Sequence, residues 1–465
     1  MLRKPLSILI IIALTLSCAA CGGADNLAKN ISPSETVSQI PMEPENSTEP
    51  ESQPGTESAT TAANSEDNFE STTTTNPEVT IETTASLILG DEQFDAYIPL
   101  LADKRVALFS NQTGIVGDKD QHILDALIEH DINVTAIFSP EHGFRGTEDA
   151  GEAIDDSVDA QTGVPILSLY HNDTHSPSPE DMDTFDTLVV DMQDVGLRYY
   201  TYYISMYYLM DACAAAGKEF IILDRPNPNG FYVDGPILQD KYKSGVGQLP
   251  IPIVYGMTWG ELAQMINGEG WLNAGKGACN LTVIPCLNYT HDMKTTLARR
   301  PSPNLKDMRA VYLYASTCFF ENTYVSVGRG TDMPFEIYGS PYLPQESNPY
   351  TFTPQDMDGA DNPPFEGEVC YGKDLSDIPL EDIWAAGIDL NYLIDAYNDF
   401  QEANPDLDFF DSPTNNVKNW LDYLSGSDDL RKQIIAGHSA EEIKASWQPD
   451  IEAFKAQREP YMLYE

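Results

Sequence analysis

Thr187-Leu188-Val189-Val190-Asp191-Met192-Gln193-Asp194-Val195-Gly196-Leu197-Arg198-Tyr199-Tyr200-Thr201-Tyr202-Tyr203, continued through Ile204 to Ala216, Gly217 and then Phe220-Ile221-Ile222-Leu223-Asp224-Arg225-Pro226-Asn227-Pro228, decides the fold. Two short runs, apolar but for Thr187 and rich in β-branched residues, flank a helical stretch that Gly217 closes as a C-terminal cap. Each run ends on Asp followed by polar or turn-forming residues. A strand that is apolar at every position must be covered on both faces, which is the condition of a parallel sheet between helices.

The same pattern extends upstream. Apolar runs at Val106 to Phe109, Val134 to Phe138 and Val164 to Leu169 precede those at Thr187 to Val190 and Phe220 to Leu223, and Ile123-Leu124 with Leu127-Ile128 mark a helix between the first two. The spacing predicts an α/β fold with a Rossmann-like doubly wound parallel sheet. No G-x-G-x-x-G follows the first strand, which disfavours a dinucleotide ligand. In open parallel sheets the ligand crevice lies beyond the carboxyl ends of the strands. Here those positions read Ser110-Asn111-Gln112-Thr113-Gly114, Ser139-Pro140-Glu141-His142-Gly143, Tyr170-His171, Asp191-Met192-Gln193-Asp194 and Asp224-Arg225-Pro226-Asn227. Each alone reads equally as a turn or cap; five in succession point to a functional edge. Tyr199 to Tyr203 supply flat faces suited to sugar rings, or else core packing at a helix start.

The flanks differ in kind. Arg3 and Lys4 precede an apolar run from Leu6 to Leu16, too short to span a bilayer and typical of a secretion signal. Ala19-Ala20-Cys21-Gly22-Gly23 resembles a lipoprotein site with Cys21 acylated, Cys18 being the alternative. The expected leader is 1–21. Residues 22–84 are rich in Ser, Thr, Pro and Glu and poor in large apolar residues, so they read as a flexible tether that cannot offset its ordering entropy by burial. The whole chain has 26 Lys+Arg against 73 Asp+Glu, a net charge of -47. Such acidity argues against nucleic acid as a partner. Cys213, Cys279, Cys286, Cys318 and Cys370 read as buried thiols, with Cys279 and Cys286 a candidate disulfide.

In the second half Thr258-Trp259-Gly260-Glu261 fits a capping box, so Glu261 reads as a cap. Ser326-Val327-Gly328-Arg329-Gly330-Thr331 sets an Arg between glycines, with Pro334-Phe335-Glu336 following. There is no G-x-S-x-G elbow, H-E-x-x-H helix or P-loop, and no His pair at ligand spacing, so neither metal nor cofactor is expected.

Together, Ser139 to Gly143, Asp191 to Gly196 with Arg198 to Tyr202, Asp224 to Pro228, Gly256-Met257-Thr258, Pro301-Ser302-Pro303-Asn304 and Gly328 to Thr331 resemble the NamZ-type exo-β-N-acetylmuramidases over residues 85 to 465. One departure is a Pro- and Asp-rich tract around Pro344 to Pro364, expected to form a surface loop. The resemblance implies a Rossmann-like subdomain over 85–245 and a smaller α/β subdomain over 246–465, with a cleft between them. It implies removal of N-acetylmuramic acid from non-reducing ends of peptidoglycan fragments, in agreement with the lipid-anchored, extracytoplasmic placement expected from the N-terminus. Glycoside hydrolysis needs an acid and a second group. Glu141 beside His142 is the expected acid, and Asp191, Asp194, Asp224 and Glu336 are candidates for the second carboxylate, the alternative being that the sugar's own 2-acetamido group takes the nucleophile's part. Asn111, Gln193, Arg198, Tyr200, Tyr202, Asp224, Arg225, Asn227, Arg329 and Glu336 are the substrate-binding candidates, Arg329 being favoured for the lactyl carboxylate. The competing readings are a sugar-binding lipoprotein without catalysis, and an esterase or amidase acting on cell-wall material.

Overall fold

The computed structural model describes residues 86–465 apart from 118–119, 141–143, 145–156, 170–175, 274–276 and 414–416, and these belong to one compact unit, Ile81–Glu465. Cys18, Cys21, the leader and the tether lie outside the described residues, as do Glu141 and His142.

The main sheet comprises β1 (Arg105–Ser110), β2 (Asn133–Ser139), β3 (Ser157–Val158), β4 (Pro165–Ser168), β5 (Thr187–Asp191), β6 (Glu219–Leu223) and β7 (Asn280–Ile284). Their spatial order is β3-β4-β2-β1-β5-β6-β7. All neighbours pair in parallel except the short β3, which runs antiparallel to β4 at the edge. Numbered among themselves, the six parallel strands run 3-2-1-4-5-6, so the direction of winding reverses between β1 and β5. Five of these strands are the apolar runs of the sequence. β7 lies beyond residue 245, so the sheet draws on both sides of the expected subdomain boundary.

The period of two along β1 shows how both faces are covered. Val106 and Leu108 join a core with Tyr97, Leu101, Ile123 and Leu127, from α1 (Phe94–Leu101) and α2 (Ile123–Glu129). Ala107 and Phe109 face a larger core built by α4 (Tyr202–Ala216) and α5 (Trp259–Gly268), α3 (Pro179–Met182) being a short turn before β5. Gly217 does close α4, in the left-handed conformation at φ 68°. Thr258 and Glu261 form the expected capping box at the start of α5.

After α6 (Met308–Thr317) the chain builds a three-stranded antiparallel sheet in the order β8 (Ile337–Ser340), β10 (Cys370–Asp374), β9 (Tyr350–Phe352), and then the helices that complete the chain. The tract at Pro344 to Pro364 is the expected surface segment over most of its length, irregular and largely exposed, but it is tied to the protein at several points. β9 lies within it, Gln355 N–H donates to Gly330 O at 2.9 Å, and Asn304 Nδ2 donates to Gly359 O at 2.7 Å. A Cβ on Gly330 would stand 2.5 Å from Pro363 Cγ, so that glycine admits the tract rather than a ligand. The candidate disulfide is corrected, for Cys279 and Cys286 are free, buried thiols. They lie at opposite ends of β7, and seven residues of extended chain at about 3.3 Å each hold them far beyond bridging distance. Among the described residues no helix is long and apolar enough to cross a membrane, and no cluster of His, Cys, Asp and Glu has the makings of a metal site.

Candidate active site

Most of the strand-end candidates are partnered by protein. Arg225 Nε donates to Asp191 Oδ1 at 2.6 Å and Nη2 to Asp191 Oδ2 at 3.0 Å and to Asp91 Oδ2 at 2.8 Å, all three side chains being buried. Asp91, on the turn Gly90–Glu92, carried no sequence signal. Burial raises its carboxyl to about 7, against the opposing pull of Arg225. Asp224 accepts hydrogen bonds from Thr258 Oγ1 at 2.7 Å, Gly260 N–H at 2.9 Å and Tyr464 OH at 2.6 Å, and burial still pushes it up to about 6. Asp194 accepts from Gly196 N–H at 2.8 Å and from Tyr255 OH, and burial again raises it to about 6.

The polar residues around these acids are equally engaged. Gln193 Nε2 donates to Asp194 O and Pro226 O, both at 2.8 Å, and Asn227 Nδ2 donates to Met257 O at 2.8 Å. Gly196, at φ 76°, lies so close to Asn227 that a Cβ would fall 2.0 Å from its Oδ1. Arg198 is wholly buried and spends its guanidinium on backbone carbonyls of Pro236, Ile251 and Leu424. Asn111 Oδ1 accepts from Thr113 N–H and Oγ1, whereas Asn111 Nδ2 and Ser139 Oγ, at the ends of the paired strands β1 and β2, are buried without a hydrogen-bond partner among the described residues. Glu336 is buried near Arg309 Nε at 3.9 Å, and burial raises its carboxyl.

The open space lies beside this network. A cavity of about 370 Å³ is lined by Tyr199, Tyr200 and Tyr202 from the β5–α4 connection, by Ser302 and Asn304, by Tyr314 and Cys318 at the end of α6, by Glu321, Asn322, Arg329 and Phe335, and by Trp420 and Leu424. That volume falls among small-molecule sites, roughly 300–1,000 Å³. Tyr200 and Tyr202 hydroxyls donate to Pro301 O at 2.7 and 3.3 Å, and Gln112 Nε2 donates to Arg300 O at 3.1 Å, which docks the 300–304 loop over the sheet edge. The tyrosines therefore offer ring faces, their hydroxyls being committed.

Among the sequence candidates Tyr200, Tyr202 and Arg329 line the cavity; Asn111, Asp191, Gln193, Asp194, Arg198, Asp224, Arg225, Asn227 and Glu336 are not in its wall. Arg329 is less isolated than its flanking glycines suggest. Its Nε donates to Glu321 Oε1 at 2.8 Å, and its guanidinium carbon lies 5.2 Å from the centre of the Phe335 ring. Its terminal nitrogens have no protein partner among the described residues. A second cavity of about 190 Å³ adjoins the first: Glu321, Asn322 and Arg329 line both, and Asn362 and Pro364 of the added tract contribute to its wall. Glu321, Tyr314 and Trp420 were missed from sequence. Glu321 follows Phe319-Phe320 with no periodicity or motif to mark it, adjacency to the Ser326–Thr331 stretch being the one available signal.

The comparisons with known proteins agree with one another over most of the chain. The N-terminal domain profile of the exo-beta-N-acetylmuramidase NamZ matches residues 106–309 and the C-terminal profile residues 312–464. A peptidoglycan beta-N-acetylmuramidase NamZ of Bacillus subtilis (strain 168) is 33% identical over 419 residues, covering 87% of this chain and 96% of that protein. Two crystal structures of DUF1343 family proteins from Bacteroides fragilis NCTC 9343 share the fold, at TM-score 0.73 with 52% identity and at TM-score 0.69 with 28% identity. Each covers 82% of this chain and 99% of its own.

Proposed function

Because the chain belongs to the exo-β-N-acetylmuramidase NamZ family, we propose that it removes β-linked N-acetylmuramic acid from the non-reducing ends of peptidoglycan glycans or muropeptides, with the terminal sugar in the cavity beside Tyr200 and Tyr202. The wall of that cavity carries the reading. Aromatic faces suit the apolar side of a pyranose ring, and Ser302, Asn304 and Asn322 suit its hydroxyl and acetamido groups. Muramic acid differs from glucosamine by a lactyl carboxylate. In a protein with net charge -47 that group needs a local cation, and Arg329 keeps its terminal nitrogens for it while Glu321 holds the Nε edge. Glu141, following Pro140 and beside His142, is the acid that protonates the glycosidic oxygen.

Acylation of Cys21, with Cys18 as alternative, holds the enzyme on the outer face of a membrane at the end of its 22–84 tether. Full-length protein recovered wholly in the soluble fraction would remove that anchor. The activity is tested by release of a chromogenic aglycone from a β-N-acetylmuramoyl glycoside beside the matching N-acetylglucosaminide. Turnover of the first alone is the expected result. Saturable binding without turnover would make the protein a sugar-binding lipoprotein instead.

A further inference from the structure

We propose that Glu321 is the second catalytic carboxylate, the anion that faces the anomeric carbon. The inference rests on the muramidase reading above and deepens it. Cleavage of the glycosidic bond sends its electron pair to the leaving oxygen, which takes a proton from the acid. Positive charge is left spread over the anomeric carbon and ring oxygen until water adds there, its hydroxyl bonding to the anomeric carbon and its released proton restoring the deprotonated acid, and a carboxylate close to that centre lowers the barrier.

Three observations place it at Glu321. None of the four carboxylates expected from sequence is in the cavity wall: Asp191 is held by Arg225, Asp224 by Thr258, Gly260 and Tyr464, Asp194 through one oxygen by Tyr255 and Gly196, and Glu336 is buried 3.9 Å from Arg309 Nε. Among the described residues Glu321 is the carboxylate in the wall of the larger cavity, and it also lines the smaller one. An exo-acting glycosidase binds the terminal sugar in one space and the departing part of the substrate in the next, so the scissile bond spans their junction, where Glu321 stands. Finally, its side chain is 23% exposed, Oε1 is fixed by Arg329 Nε at 2.8 Å, and Oε2 makes no protein hydrogen bond among the described residues. One oxygen is anchored and the other is free for substrate. With Arg329 terminal nitrogens on the lactyl group, one guanidinium registers the sugar against the carboxylate that acts on it.

A bland ion pair that merely shapes the loop predicts different kinetics. Glu321→Gln should lower kcat by about 10²–10³-fold with KM changed less than about threefold and melting temperature retained. The loss should be equally large for muramoyl glycosides with acidic and with poor leaving groups, because protonation is not the missing step. A kcat within tenfold of the wild type, or a loss confined to KM and reproduced by Arg329→Met, would reduce Glu321 to a partner of Arg329. Should Glu321→Gln fail to fold, Glu321→Asp decides: it keeps the charge but withdraws it by one methylene, and the same kcat loss without a KM change is expected. Wild-type turnover is the control that separates the two claims. Its absence overturns the muramidase reading, whereas its presence with an unaffected Glu321 variant overturns this assignment alone.

Discussion

The carboxyl edge of the parallel sheet and the wall of the neighbouring cavity are built from the same residue types, yet they behave oppositely. At the edge, Asp191, Asp194, Asp224, Arg225 and Asn227 find their partners within the protein and are shut from solvent. In the cavity wall Glu321 and Arg329 satisfy one another through a single pair of atoms and leave the rest of each group open. A charged group at a strand end is thus scaffold or site according to how much of its hydrogen-bonding capacity the protein has already consumed.

The contrast is tested first where the largest effect is expected. Glu141→Gln retains shape but cannot protonate a leaving group, so kcat on poor leaving groups should fall by about 10²–10⁴-fold, with much less loss on acidic ones. Equal loss on both substrate classes would take the acid role from Glu141. At the edge the opposite signature is expected, stability rather than rate. Arg225→Met strands Asp91 and Asp191 as buried carboxylates and should cost about 3–5 kcal/mol of unfolding free energy, more at pH 8 than at pH 5, where protonation of Asp91, already raised to about 7 by burial, relieves part of the cost. A variant with unchanged stability and a raised KM would move Arg225 from scaffold to site.

A pH titration sharpens the same point. The Asp194 carboxyl is raised from 3.8 to about 6 in the folded protein, so between those values the folded state binds the extra proton. Its contribution is present below pH 3.8 and is lost as pH rises through about 6. Asp194→Asn mimics the protonated form. Relative to wild type it should therefore gain on the order of 2–3 kcal/mol between pH 4 and pH 7, measured as the difference between denaturant curves, and parallel pH profiles would contradict this. The smallest effect belongs to the cavity: Arg329→Lys keeps charge but loses the planar fork, and should raise KM for muramoyl substrates by about tenfold or more, given about 1.5–3 kcal/mol for a charged hydrogen bond. It should also discriminate less against the lactyl-free sugar. An unchanged sugar preference in Arg329→Ala would place the lactyl clamp elsewhere.

Much of the scaffold was legible from local pattern. Val106 to Phe109, Leu188 to Val190 and Phe220 to Leu223 are apolar at every position, and a chain segment of that kind has few places to be other than between two layers of helices. Gly217 and the Thr258–Glu261 box act within a single turn, so reading them needed no knowledge of the rest of the molecule. β7 escaped because Asn280-Leu281-Thr282-Val283-Ile284 is an edge strand whose outer positions alternate with polar residues, and β8 to β10 are short and rich in Gly and Tyr.

What sequence alone determined is five strands of the sheet, the helices α2 and α4, the start of α5 and the row of polar groups at the strand ends; which of those groups can touch a substrate was decided by tertiary structure. Tyr464 reaches Asp224 across 240 positions, Leu424 receives Arg198 across 226, and Asp91 reaches Arg225 across 134. Local pattern carries the geometry of a turn or a strand, because those energies involve neighbours within a few residues. Whether a carboxylate is saturated depends on atoms brought to it from the far end of the chain, and so Asp191 and Asp224 lie locked in the scaffold while Glu321, with no motif of its own, lines the open cavity.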